Sequence, residues 1–220
     1  WKASGHPYKL MKGEQAQYRP IPLPEGLDWD EVSYVIGGYK WKSRYMDLEG
    51  YIYTPAEGKN QYNYLTGEWS DYNAGEVKPY DCGSCHTTNW VANPDPTSLD
   101  DNQGGLAGIH GTFDQGGIQC IQCHGSDHPG TIDSSAEACG ECHIRGDSAT
   151  IPASSGWIKH HEQYNEFLAS GSHADFMECT TCHDPHKRAE FSIKESAQCG
   201  VSCHQDKMAS YSQTTMYDYD

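Results

Sequence analysis

Apolar and polar positions alternate most regularly between residues 32 and 54, VSYVIGGYKWKSRYMDLEGYIYT, in short runs broken at Gly37-Gly38 and again from Asp47 to Gly50. β-Branched and aromatic residues in such runs suit the pleated, half-buried surface of a strand. A GG break between two of them is a hairpin signal. The pattern predicts a meander of two to four strands, with QYNYLTGEW (61–69) as a further candidate. Before it, RPIPLPEG (19–26) reads as an extended, proline-rich connector. Beyond residue 81 the alternation is lost, and glycine-rich loops separate short helical patterns. The longest, WIKHHEQYNEFLAS (157–170), is capped by Ser154 or Ser155 and stopped at Gly171. Trp157, Tyr164 and Leu168 fall on one face of that helix, with His161 at the edge of the face and His160 on its other flank beside Phe167. Ser134 with Glu137, and Ser192 with Glu195, repeat the S-x-x-E spacing of a capping box just ahead of a cysteine pair.

Composition changes the picture in two ways. A hydrophobic fraction of 36%, a mean hydropathy of -0.78 and 23 glycines are low for 220 residues that must build their own core. The aromatic residues are also unevenly placed: residues 1–81 hold 11 of the 15 tyrosines and 4 of the 6 tryptophans, a single histidine and no cysteine. Residues 1–81 are therefore read as an aromatic-rich β segment and 82–220 as the region that carries the chemistry, the two making one compact unit. No run of 18 apolar residues occurs, so no membrane insertion is expected. The sequence opens at Trp1 with no methionine and no apolar leader, the form a mature secreted chain takes. The net charge is -16, of which residues 82–220 carry -13, and this argues against nucleic acid and anionic lipid as partners.

The ten cysteines form five close pairs, CGSCH (82–86), CIQCH (120–124), CGECH (139–143), CTTCH (179–183) and CGVSCH (199–204). With 12 histidines in 220 residues, a histidine after all five pairs by chance has a probability on the order of one in a million or less. A zinc ribbon has no need of histidine directly after each second cysteine, and vicinal disulfides repeated five times are catalytic devices rather than staples. Covalent haem attachment does need that order: two thiols on one turn of chain reach the two vinyl carbons of a porphyrin, and the next residue is placed under the iron. Cys82, Cys85, Cys120, Cys123, Cys139, Cys142, Cys179, Cys182, Cys199 and Cys203 are thus the thioether candidates for five haem c groups, and His86, His124, His143, His183 and His204 the proximal ligands. In CGVSCH one extra residue is absorbed between the thioethers. Five haems leave about 44 residues each, so the porphyrins are expected to form the core and the fold to be mostly irregular, a multihaem cytochrome c with a small N-terminal β-meander and short helices around the motifs. Haem of this kind is attached outside the cytoplasm, which implies export.

Seven histidines remain for five sixth positions: His6, His110, His128, His160, His161, His173 and His186. Every iron can be bis-histidine, and such an iron has no vacant site for substrate. The chemistry left to it is electron transfer rather than enzymatic turnover; a multihaem reductase would need an open iron. His186 follows His183 by three residues and His128 follows His124 by four, too close to reach round their own porphyrins, so each is expected to ligate a neighbouring iron within about 10–15 Å. His6, His173 and His161 are the other favoured distal candidates, with His160 behind them.

WKASGHPYKL, YVIGGYKWKSRYMDLEGYI, CGSCHTT, CIQCHGSDH, CGECHIRG, and HHEQYNE followed by CTTCHDPH together resemble the multihaem cytochromes that include subunits of extracellular cytochrome nanowires, over roughly residues 1–204. That resemblance implies a homo-polymer with stacked haems, an axial histidine donated between subunits, and exchange with redox partner proteins or extracellular acceptors. It implies an extracellular or cell-surface location, a discrete soluble periplasmic carrier being the alternative. It also implies His6, His128, one of His160 and His161, His173 and His186 as distal ligands. The sequence departs from the family's filament subunits of this size in carrying five motifs and in the long spacing of CGVSCH.

Overall fold

The computed structural model describes residues 1–95, 97–127, 130–144, 163–188, 191–195 and 203–205. They fall into two compact units, one of Ser4–Gln122 with Lys2, the other running from Cys123 onward with Trp1 and Ala3. Among the described residues no helix is long and apolar enough to cross a membrane.

The first unit is organised by a five-stranded antiparallel sheet in sequential order, β1 (Leu10–Lys12), β2 (Tyr34–Gly37), β3 (Lys42–Met46), β4 (Gln61–Asn63) and β5 (Glu68–Ser70). The predicted GG hairpin joins β2 to β3, closing at the pair Gly37 and Ser43. Gly37 has φ +80°, and a Cβ there would stand 2.2 Å from the Lys42 carbonyl oxygen, so only glycine fits. Lys40 also adopts a positive φ, of 71°, inside the loop. Residues 32–54 supply β2 and β3, the further candidate 61–69 supplies β4 and most of β5, and the strand not expected is β1, from Leu10–Lys12, a run too short to show a period.

Register sends alternate side chains to opposite faces of this sheet. Leu10, Ile36 and Met46 pack on one side with Ile52, Tyr80, Ile109 and Phe113. Met11, Val35 and Tyr45 pack on the other with Ala16, Ile21, Leu27 and Val32. The sheet is therefore the middle layer of a polypeptide core covered on both faces, one of them by the proline-rich connector and α1 (Gly13–Ala16). Tyr45 and Tyr80 are both fully buried, Tyr45 between the Ser43 hydroxyl at 2.9 Å and the Pro22 carbonyl. Residues 82–122 belong to this unit. They add α2 (Gly83–His86), the short strand pairs β6 (Thr87–Thr88) with β9 (Gln115–Gly116) and β7 (Val91–Ala92) with β8 (Gly111–Thr112), and Ile109 and Phe113 to the core.

The helix α3 (Cys120–His124) crosses the sequence boundary between the units. Beyond it come α4 (Ala136–Gly140), α5 (Gln163–Ala169) and α6 (Cys179–Cys182). Among the described residues of this second unit only Ala136, Gly140 and Asn165 are buried. The two units thus differ in their interiors: the first has an apolar core of its own, richer than the composition led one to expect, whereas the described residues of the second bury almost none. The cap of α4 is Ser135, whose hydroxyl accepts from the Ala138 amide at 3.2 Å, one residue later than the Ser134 of the sequence expectation. The shift places Glu137 in the first helical turn, beside the positive end of the helix dipole. Ser192 holds a histidine ring, as described below, and residues 196–202, where its cap was to start a helix, lie outside the described set.

Candidate haem-binding sites

Four of the five cysteine pairs ride on single helical turns: α2, α3, α4 with the residues just after it, and α6. Cysteines three apart on a helix face the same way, which is the presentation that two vinyl groups of one porphyrin require. The nine described cysteines are thiols and not disulfides.

Three of these turns are held by contacts the motif spacing does not reveal. In CGSCH, the Thr87 hydroxyl donates to the Gly83 carbonyl at 2.7 Å, closing the turn ahead of its own backbone pairing in β6. The Trp90 indole lies so close that a Cβ on Gly83 would stand 1.9 Å from its ring. In CGECH, Tyr164 of α5 covers Gly140 in the same way, at 2.7 Å from the position of a Cβ, and the Tyr164 amide donates to the His143 carbonyl at 2.9 Å. A glycine between the cysteines lets an aromatic ring seat against the attachment turn. In CTTCH, the Thr181 hydroxyl accepts from the Glu178 amide at 3.1 Å, while the Glu178 carboxylate accepts from the Ala136 amide. That carboxylate ties the start of α6 to the start of α4.

Two of the motif histidines, His86 and His183, are oriented through Nδ1. His86 donates from Nδ1 to the Lys9 carbonyl at 3.1 Å, and His183 has its Nδ1 3.3 Å from the Ser192 hydroxyl. An Nδ1 so engaged leaves Nε2 as the metal-binding nitrogen, the usual arrangement of a ligating imidazole. Burial holds His183 below the usual histidine range. This favours the neutral form that binds metal.

Two pairs of histidine rings face each other. His124 and His186 have ring centroids 6.0 Å apart with 43° between planes, and His173 and His204 are also 6.0 Å apart, with 85° between planes. An imidazole nitrogen binds a metal at about 2 Å and sits about 1 Å from the centre of its own ring, so two imidazoles on opposite sides of one metal have centroids about 6 Å apart. Both pairs match that span. Each joins a motif histidine to one of the two expected distal histidines that fall among the described residues of the second unit.

The second, third and fourth motifs also converge. The Cys139 thiol donates a hydrogen bond to Cys179, which brings the Cys179 pKa down to about 7 and pushes that of Cys139 well up, and Cys123 lies close enough to add its charge to Cys139. Thioether formation removes these titrations and leaves the proximity. His6 lies in the first unit with its Nδ1 3.4 Å from the Ser4 hydroxyl, and its carbonyl accepts from Ile118 while the His86 carbonyl accepts from Gly117. One dipeptide therefore anchors both histidines. His110 takes part in backbone pairing with Tyr80 and Asn93. His128, His160, His161 and Cys199 lie outside the described residues. Nothing in the sequence marks Lys9, Ser192, Trp90 or Tyr164 as supports of the motifs; the glycine inside CGSCH and CGECH is the one available clue.

Residues 112–205, which include four of the five motifs, match the family model described as cytochrome c3. No curated protein matches the chain. The outer cell wall cytochrome OcwA is similar in structure at 22% identity, over 67% of this chain and 34% of that one, with a TM-score of 0.48. An undecahaem cytochrome from the S-layer of Carboxydothermus ferrireducens is similar at 14% identity over 97% of this chain and 40% of that one, with a TM-score of 0.49. The chain spans about a third to two fifths of the length of these structures. The motif set and the cytochrome c3 match agree on a multihaem c-type cytochrome with covalently bound haem c. Electron transfer is the function of that class.

Proposed function

We propose that the chain carries five haem c groups, each held between two imidazoles, and passes electrons along them as the polymerising subunit of an extracellular filament. The observation that carries the bis-histidine part is the 6.0 Å separation of the ring pairs His124 with His186 and His173 with His204. When bound, haem c supplies one-electron ferric/ferrous chemistry at each site. The protein's part is to fix the ligands and keep neighbouring sites close. The turn His183-Asp184-Pro185-His186 serves two irons, proximal to one through His183 and distal to another through His186. The contact of Cys139 with Cys179 brings the third and fourth attachment turns together. His204, facing His173, favours CGVSCH as a true fifth site in spite of its extra residue. An imidazole pair on each iron would leave none open to substrate, which favours a conduit over a reductase.

The filament part rests on the resemblance in motif order, and with it come the extracellular location and a distal histidine supplied between copies of the chain. Intact mass of the haem-loaded protein counts the haems, and negative-stain microscopy of the same preparation reads its assembly. Five additions with long filaments are expected. Four additions would remove CGVSCH from the set, and isolated globules would return a discrete carrier.

A further inference from the structure

The two imidazoles that share an iron need not be alike, and the partner on Nδ1 is where the protein makes them differ. His86 and His183 are held by neutral groups, a backbone carbonyl and a serine hydroxyl. His186 is held by a carboxylate: Oδ1 of Asp184 accepts the His186 amide at 3.0 Å and lies 3.3 Å from its Nδ1. The first contact is an Asx-type turn, and the second extends it to the ring. Asp184 is itself pinned, its amide donating to the Ser192 carbonyl at 2.6 Å and its carbonyl accepting from Lys187 at 3.2 Å. The carboxylate thus sits on a turn fixed at both ends, next to a ring whose other side faces His124.

A carboxylate on Nδ1 makes the ligating nitrogen more basic and stabilises the more highly charged metal. Lys187 acts on Asp184 with the opposite sign, and the side chains of His186 and Asp184 are 56% and 28% exposed, so solvent screens part of the effect. The sign nevertheless follows the carboxylate, which is bonded to the ring while the lysine is not.

We propose that Asp184 is a positioning residue that fixes His186 opposite His124 and lowers the reduction potential of the iron they share. This rests on the bis-histidine reading above. His186 is thereby the ligand through which a charge on the 183–186 turn selects one centre of the chain as the more strongly reducing.

The test is a potentiometric titration of the haem-loaded full-length protein and its Asp184→Asn, Asp184→Glu and His186→Met variants, each checked by peptide mass for haem on Cys120 and Cys123. Asp184→Asn should move one midpoint to a more positive value and leave the others in place, while Asp184→Glu, which keeps the charge, should stay near the parent. The midpoint that moves should be the one that His186→Met also moves. The proposal is overturned if no midpoint moves in Asp184→Asn, if Asn and Glu behave alike, or if the shifted centre is one that His186→Met leaves alone. Parent protein without haem on Cys120 and Cys123 would overturn the bis-histidine reading itself, a different failure with a different readout.

Discussion

Replacing His173 by alanine removes one ring of the pair whose geometry is most distinctive. The two rings stand 6.0 Å apart and 85° from parallel. Two metal–nitrogen bonds of about 2 Å and two nitrogen-to-centre distances of about 1 Å span about 6 Å, so the separation of the two rings matches the span of two imidazoles on one iron. Since there are five motifs, loss of one distal imidazole converts about one fifth of the haem from six-coordinate low-spin to high-spin, with the covalent count unchanged. The angle supplies a second signature. Near-perpendicular imidazoles split the iron's two dπ orbitals least, so this centre should give the most anisotropic low-spin resonance of the parent, and that resonance should vanish in His173→Ala. Low-temperature electron paramagnetic resonance with optical spectra of the oxidised protein reads both effects. An unchanged low-spin spectrum in the variant would refute the pairing of His173 with His204. A high-spin fraction well above one fifth would show that His173 supports more than one site.

Three other outcomes test the local structure. Gly83→Ala drives a methyl to 1.9 Å from the Trp90 ring, an overpacking that should cost about 1–3 kcal/mol and lower Tm by roughly 2–4 °C per kcal/mol in thermal denaturation. Cys82→Ser with Cys85→Ser should remove one haem by mass yet keep the near-ultraviolet dichroism of the buried tyrosines, because the first unit closes its own core around Tyr45 and Tyr80; loss of that signal would mean the first haem is needed for the sheet. Burial pushes the Tyr45 and Tyr80 hydroxyls above the usual tyrosine range. The folded state then holds protons that the unfolded state releases above pH about 10, so stability from this source is complete below that pH and is lost as pH rises beyond it. Alkaline denaturation followed by tyrosinate absorbance should show these two ionising only with unfolding.

The parts legible in the sequence are those that a single local rule decides. The C-x-x-C-H spacing marks its own short helical turns, the alternation at 32–54 marks its strands, and Gly37-Gly38 marks the turn between them. Contacts made over long separations left no such mark. Lys9 supports His86 through its backbone carbonyl, an atom every residue possesses. Trp90 and Tyr164 cover the glycines of two motifs, which look in sequence like mere spacers. The ring pair His173 with His204 joins residues with no shared pattern, whereas His186 could be read as the ligand of a neighbouring iron because three residues cannot reach round a porphyrin. The cap of α4 was placed one residue early because Ser134 and Ser135 are adjacent and the S-x-x-E spacing prefers the first, while the helix starts where the Ser135 hydroxyl meets the Ala138 amide. Average composition understated the first unit's core because it averages that unit with a second whose described residues bury little.

Near-infrared magnetic circular dichroism of the fully oxidised, haem-loaded protein reads the axial ligands of every iron at once. Paired imidazoles at all centres should yield one ligand-to-metal band type, with an intensity equal to the haem count by mass. A sizeable high-spin or methionine-type band in the unsubstituted protein would contradict the bis-histidine reading.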